Sequence, residues 1–277
     1  MSSNDKSSSS TDRRIEALTK KIASLEEDLR RVDKERIEYL QNVSHQLVAP
    51  LNAIKWHIEN LTNNRVGLDR AKKVLRSIYS QSTIAVHLAK NFALMSNIEA
   101  DHTLSALREP LQQVKLLSLL INLADDFQPL GWDKDLTIEV VNNTALSSAP
   151  DVWAMKPLLS QAFSNIIENA VKYSHKHAEI TIDGEYFEAA DVVSVTIKNR
   201  GIPLPPTDTT RIFDRGVRTQ EAMNLYPAGT GFGLFIAKRI IDIHEGVIGA
   251  STDETGRTVF EVVLPVRALE GKVRHRV

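Results

Sequence analysis

The sequence predicts an α+β protein in which an N-terminal coiled coil and helical hairpin precede an α/β two-layer sandwich. Two observations predict it. Apolar residues recur in steps of three and four through roughly the first hundred positions, and beyond about residue 113 helix-length patterns alternate with short apolar runs. The composition agrees: 277 residues, 42% hydrophobic and 25% charged, give an ordinary globular chain with length for one or two cores. A formal net charge of −1 offers no electrostatic case for nucleic acid. The absence of cysteine excludes a disulfide framework and a thiolate metal site. No run of about 20 apolar residues is present, and the opening Met-Ser-Ser-Asn-Asp-Lys is polar, so a cytoplasmic chain with no membrane span is expected.

Residues 1–12 are serine-rich and read as a disordered tail. Over 13–37, Ile15, Leu18, Ile22, Leu25, Leu29 and Val32 form a coiled-coil seam, with charged residues filling the intervals. One long helix carries this seam into a hairpin at 38–100. There Leu40, Val43, Leu47, Leu51, Ile54, Ile58 and Leu61 fall within about 40° of one line at about 100° per residue. His45 lies about 160° from that line, on the face offered to solvent. Pro50 removes one helical hydrogen bond and predicts a bend near Gln46, a hinge through which coil rotation reaches His45. Asn63, Asn64 and Gly67 interrupt the pattern, and a second helix follows from about 68 to 98, with Val74, Ile78, Ile84, Leu88, Phe92 and Leu94 near one face. Two such helices bury little apolar surface alone, which predicts pairing of two chains into a four-helix bundle.

Residues 101–112 read as a linker. The second domain, 113–267, predicts helices over about 114–127 and 152–173 and after Gly231. Strands are expected over 136–141, 179–186, 192–198, 247–251 and 258–264. The basic end, 268–277, reads as a solvated tail.

Three stretches of this domain are suited to a nucleotide. Asn165, Asn169, Lys172 and Tyr173 recur three or four apart on one helix face, where an amide oxygen can join a magnesium shell and a lysine can meet phosphate. Taken alone, they read first as a polar helix end on solvent. Lys198-Asn-Arg-Gly-Ile-Pro203 is a strand running into a turn that leaves Asn199 facing a purine edge; alone it is only a turn. Gly229-Thr-Gly-Phe-Gly-Leu234, with Thr230, Gly231 and Gly233 within it, opens an amphipathic helix whose free N–H groups and dipole favour an anion. It fits neither the dinucleotide fingerprint nor the P-loop.

Taken in order, these segments resemble the two-component sensor histidine kinases. His45-Gln-Leu-Val-Ala-Pro-Leu51 is similar to the H box, Asn165–Tyr173 to the N box and Asn199–Gly201 to the first glycine box. Arg211-Ile-Phe-Asp-Arg215 is similar to the F box, and Gly229–Leu234 to the second glycine box. The resemblance covers about residues 38–266. It implies a homodimer built on a dimerisation and phosphotransfer hairpin, followed by an ATP-binding domain of the GHKL type that uses ATP and Mg2+. His45 would accept the phosphoryl group, with Gln46 beside it. Asn165, Asn169, Lys172, Tyr173, Asn199, Gly201 and the Gly229–Leu234 loop would hold nucleotide, and Asn169 the metal. A mobile lid is implied over about 205–228, whose Arg211, Arg215 and Arg218 approach the γ-phosphate or remain solvated. The implied partner is an aspartate on a response regulator receiver domain, and a separate sensor protein is a further candidate partner.

Three positions depart from the family pattern. Gln46 stands where an acidic residue usually follows the histidine, and a neutral amide cannot take the imidazole proton, which predicts slow autophosphorylation. Ala49 replaces the Thr or Asn that often orients water, which predicts poor phosphatase activity. Asn199 replaces the usual aspartate; an amide that turns over also matches guanine, which predicts weak discrimination between ATP and GTP. Gln46 and Ala49 together suggest a rival reading, a degenerate kinase acting as a nucleotide-binding dimeric scaffold. A GHKL ATPase without self-phosphorylation leaves the His45 segment unexplained. His57, His87, His175 and His177 need no role beyond core or surface.

Overall fold

The structure, a computed structural model, describes residues 4–63, 67–100, 110–227 and 229–267. Helix α1 (Asn4–Asn63) is continuous through Pro50. Residues 4–12, expected as an unstructured tail, therefore belong to α1; serine is only a modest helix breaker, and adding turns to an existing helix needs no new nucleus. The tail at 268–277 and most of the expected linker, 101–109, lie outside the described residues.

The chain divides into two units, the first ending at His45 and the second beginning at Gln46. In the first, the seam residues Leu18, Ile22, Leu25 and Leu29 are all more than half exposed, and intrahelical pairs such as Lys20–Glu16 sit on the surface. His45 is exposed, as its place off the apolar stripe predicts.

The second unit contains the remainder of α1, α2 (Leu68–Ala100), and a mixed layer of helix and sheet. Its sheet comprises β2 (Thr137–Val140), β4 (Glu179–Phe187), β5 (Val192–Asn199), β6 (Val247–Thr252) and β7 (Thr258–Pro265), in the order β2-β4-β5-β7-β6. Only the β2–β4 pair is parallel. Against it pack α3 (Leu116–Gly131), α5 (Lys156–Tyr173) and α7 (Gly233–Ile243). Period-two alternation turns Ile180 and Ile182 of β4, Val193, Val195 and Ile197 of β5, and Phe260, Val262 and Leu264 of β7 inward. Phe163, Ile166 and Ile167 of α5 and Ile236 and Ile240 of α7 are fully buried.

The same alternation carries Asn199 and Thr258 onto the inward side at the strand ends, directly opposite each other in register. There the core gives way to polar groups.

A two-stranded antiparallel pair, β1 (Gln112–Val114) with β3 (Val152–Ala154), was not expected. Residues 152–154 belong to this strand instead of to the helix predicted from 152. Helix α5 starts at Lys156 with Pro157 in its first turn, where proline's missing N–H costs nothing. Two short helices, α4 (Asn143–Ser148) and α6 (Gln220–Leu225), also went unpredicted. Among the described residues no helix is long and apolar enough to cross a membrane.

Candidate functional site

One pocket forms where the end of α5, the end of β5 and the loop entering α7 converge. Asn165, Asn169, Lys172 and Tyr173 line it from α5, Asn199 from β5, and Gly229, Thr230, Gly231, Gly233 and Leu234 from the loop and the start of α7. Three stretches that are far apart in sequence thus share one surface. Gln46 also lines it, as do Leu88 and Asn91 of α2.

Gly201 is the exception among the expected binding residues, since it stands behind the wall. A Cβ there would lie 2.0 Å from the Tyr173 carbonyl oxygen, and its backbone bridges Ser174. The glycine lets the β5 turn close on the end of α5.

The loop explains its own glycines. Gly231 has φ +72, and an added Cβ would meet the Gly216 backbone at 2.7 Å, so no other residue suits both the conformation and the space. At Gly233 a Cβ would come within 3.4 Å of Asn165 Oδ1, which is how closely α7 begins beside α5. Helix α7 has no side-chain cap at its start, so its first-turn amides remain available to a ligand in the pocket.

A polar chain runs along α5. Gln161 Nε2 donates to Asn91 Oδ1 at 2.8 Å, and Asn91 Nδ2 donates to Asn165 Oδ1 at 2.8 Å. Asn165 is 1% exposed, and its Nδ2 has no hydrogen-bond partner. A buried donor left over at a pocket wall fits an oxygen-rich ligand, and a cradle of glycine backbone fits a phosphate chain. The residues present therefore fit a nucleotide with its phosphates. Asn169 lines the pocket with an amide oxygen able to ligate magnesium. Among the described residues no cluster of three or more His, Asp or Glu side chains would hold a metal ion by itself, so a cation here would need the phosphates as co-ligands.

The charges at this end are coupled. Burial pulls the Lys172 ammonium below its ordinary pKa; Glu168 pulls it back up, and Arg218 and Lys134 add to the lowering. For Glu168, burial pushes the carboxyl up, but the His87 charge and its hydrogen bonding outweigh this and hold it below the usual carboxylate range. The Nδ1 of His87, buried on α2, lies against the Glu168 carboxylate. Burial pushes the Tyr173 phenol up, against Arg218, and its ring meets Tyr226 edge-on at 5.8 Å.

Several of these groups escaped sequence reasoning. His87 has a charged partner, where only a core or surface place was expected. Lys134 Nζ donates to the carbonyls of Val171 (3.1 Å), Lys172 (2.6 Å) and Ser174 (3.2 Å), closing the α5 C-terminus that carries the site. No local pattern marks a lysine that acts across 37 residues or more of chain.

The three arginines of the expected lid differ in use. Arg211 is exposed, near Asp208, and Arg215 sits over the Phe232 ring at 5.5 Å. Arg218 donates to the carbonyls of Pro227, Gly229, Ala222 and Tyr226. It holds the loop in shape, which a phosphate-seeking arginine on a free loop would not do. His175 and His177 are exposed at the start of β4, with His177 Nδ1 3.6 Å from Asp135.

Comparison with known proteins adds to this geometry. Residues 155–268 match the family described as histidine kinase-, DNA gyrase B- and HSP90-like ATPases. The sensor histidine kinase WalK of Bacillus subtilis (strain 168) is 29% identical over 243 residues, taking in 86% of this chain and 38% of that protein. The sensor protein kinase WalK of Staphylococcus aureus is 27% identical over 252 residues, covering 86% of this chain and 56% of that protein. The chain thus spans from about two fifths to just over half the length of these curated relatives. A crystal structure of full-length ShkA in complex with AMPPNP shares the fold, with a TM-score of 0.54 and 21% identity over 82% of this chain and 45% of that one.

Proposed function

We propose, from a C-terminal domain that matches the histidine kinase-, DNA gyrase B- and HSP90-like ATPases over residues 155–268, that this chain is the core of a two-component histidine kinase. It binds ATP with Mg2+, becomes phosphorylated on His45, and passes the phosphoryl group to an aspartate of a response regulator. The reading is supported above all by the single pocket that unites Asn165 and Asn169, Asn199, and the Gly229–Leu234 loop.

Bound ATP would supply the γ-phosphoryl group. Asn165 Nδ2 and the first amides of α7 would hold its oxygens, Asn169 would ligate the cation and Lys172 would offset charge, so that the protein acts mainly by positioning and neutralisation. His45 offers a lone pair on one imidazole nitrogen. As that nitrogen bonds to phosphorus, the bond from the γ-phosphorus to the bridging oxygen would break and ADP would leave; the proton on the other nitrogen then leaves to give the neutral phosphoimidazole, and Gln46 has no carboxylate to receive it. Water takes the proton instead, and the step is slow. Changing Gln46→Glu supplies the acceptor and is expected to raise the autophosphorylation rate by about 100-fold or more; a variant no faster than the parent would refute the role given to this position.

The decisive experiment is labelling of the full chain with ATP carrying a labelled γ-phosphate. Acid-labile, alkali-stable label that disappears in His45→Ala is the expected result. A chain that binds nucleotide yet takes up no such label would be a scaffold, and the kinase reading would fall.

A further inference from the structure

Asn199 is 3% exposed at the end of β5 and turns one end of its amide toward the pocket. An amide has an acceptor end and a donor end, and residue type alone does not say which a ligand meets. Its neighbours decide.

The decisive neighbour is Ser174, immediately after α5 and 5% exposed. Its hydroxyl donates to the Ala170 carbonyl at 2.6 Å. A hydroxyl has a single proton, so with that proton committed Ser174 Oγ can only accept. Asn199 Nδ2 donates to it at 3.2 Å. Turning the amide over would set Oδ1 against the serine oxygen, or make the hydroxyl give up its 2.6 Å bond to Ala170 in order to face it, in a place too buried for water to intervene.

The backbone holds the two residues together. Ser174 and Gly201 bridge, His175 N–H donates to the Arg200 carbonyl at 3.0 Å, and Ile202 N–H donates to the Tyr173 carbonyl at 3.1 Å. A Cβ on Gly201 would lie 3.0 Å from Asn199 Nδ2, so the glycine also leaves the amide its room.

We infer that Ser174 is a specificity-determining, positioning residue: it locks the Asn199 amide with Oδ1 toward the pocket, so that the site admits a purine bearing an amino group and refuses one bearing a carbonyl at the same place. The inference rests on the nucleotide reading of the pocket. It reverses what Asn199 suggests as a bare residue type, because an amide that cannot turn does not blur adenine and guanine. Adenine gives Oδ1 a proton, whereas guanine sets oxygen against oxygen.

The test is displacement of a fluorescent ATP analogue, mant-ATP, from the full chain by ATP or GTP in the presence of Mg2+. The parent is expected to release the probe at an ATP concentration at least about tenfold below that needed for GTP. In Ser174→Ala the amide is free to turn, and the ratio falls about tenfold toward unity. Ser174→Thr keeps the hydroxyl and the ratio. Ser174→Cys, with a weakly accepting thiol of similar size, lowers the ratio and serves if the alanine variant does not fold. Adding Asn199→Asp to Ser174→Ala restores the ratio, since a carboxylate presents an acceptor whichever way it is turned. Damage to the pocket alone would weaken both nucleotides together and would not be repaired by Asp. A parent ratio near one, or an unchanged ratio in the alanine and cysteine variants, overturns the lock while leaving nucleotide binding intact. Failure of mant-ATP to bind the parent at all overturns the nucleotide reading and the lock with it.

Discussion

The helix up to His45 and the sheet domain that ends the chain solve the problem of apolar surface in opposite ways. In the first, Ile22 is 56% exposed and Leu29 62% exposed along an unbroken seam; in the second, Ile166 and Ile180 are 0% exposed. The sheet domain closes its core within one chain. The helix carries a complete stripe that one chain leaves uncovered, which is the condition for pairing with a second copy. The difference teaches that the stability of the two regions should answer to different variables: protein concentration for the seam, and side-chain volume for the core.

The largest effect is expected at the seam. Replacing Leu25 and Leu29 by Asp removes four leucines from a dimeric coil, each worth about 1.5 kcal/mol or more when buried, and this exceeds any single core change. A thermal melt followed by circular dichroism at several protein concentrations should show one concentration-dependent transition in the parent that is lost in the double variant. The concentration-independent transition of the sheet domain should stay where it was. If the melt does not depend on concentration in the parent, the seam is not a dimer contact.

Phe163→Ala reverses the pattern. Phe163 is fully buried in the middle of α5, and truncation to Ala at such a site costs about 3–5 kcal/mol. For a domain of this size that lowers the midpoint by about 10 °C. The loss should appear only in the concentration-independent transition. A matching fall in the seam transition would show that the two regions do not melt separately.

How much of this was legible in the sequence also differs between the regions. The long helix, the break after Asn63 and the second helix from Leu68 follow from apolar spacing, because in a helix the face is set by local periodicity. The five sheet strands followed from their short apolar runs, whereas the pocket residues, each weak by spacing alone, were joined into one site only by the resemblance their order carries, and Gly201 among them stands outside the pocket. What could not be read was pairing at a distance. Strand β3 holds only Val152–Ala154 and exists by pairing with β1, and Lys134 and His87 join the site through contacts with α5 far along the chain. Asn199 shows the limit most clearly. Its presence at a strand end was evident, but the orientation of its amide depends on where the proton of Ser174 goes, and only the folded chain decides that.

The smallest expected effect separates the regions by pH. His244 caps α7, with Nδ1 donating to the Ile240 carbonyl at 2.7 Å and Nε2 accepting from Met155 N–H at 3.0 Å. The Met155 bond requires an unprotonated Nε2, so protonation breaks it, whereas the bond to Ile240 survives in either charge state. Burial pulls its pKa below the ordinary histidine value, only partly opposed by the Ile240 carbonyl. The unfolded chain, with a pKa near 6.5, therefore gains a proton before the folded chain does. The contribution is full above about pH 6.5 and is lost as pH falls below that toward the lowered folded-state value. The sheet domain should lose stability between pH 7 and pH 5, while the seam, which contains no histidine before His45, should not respond to this group. His244→Gln should flatten the slope and cost about 1 kcal/mol at pH 7 through the weakened bond pair. An equally steep slope in the variant would place the titrating group elsewhere in the domain.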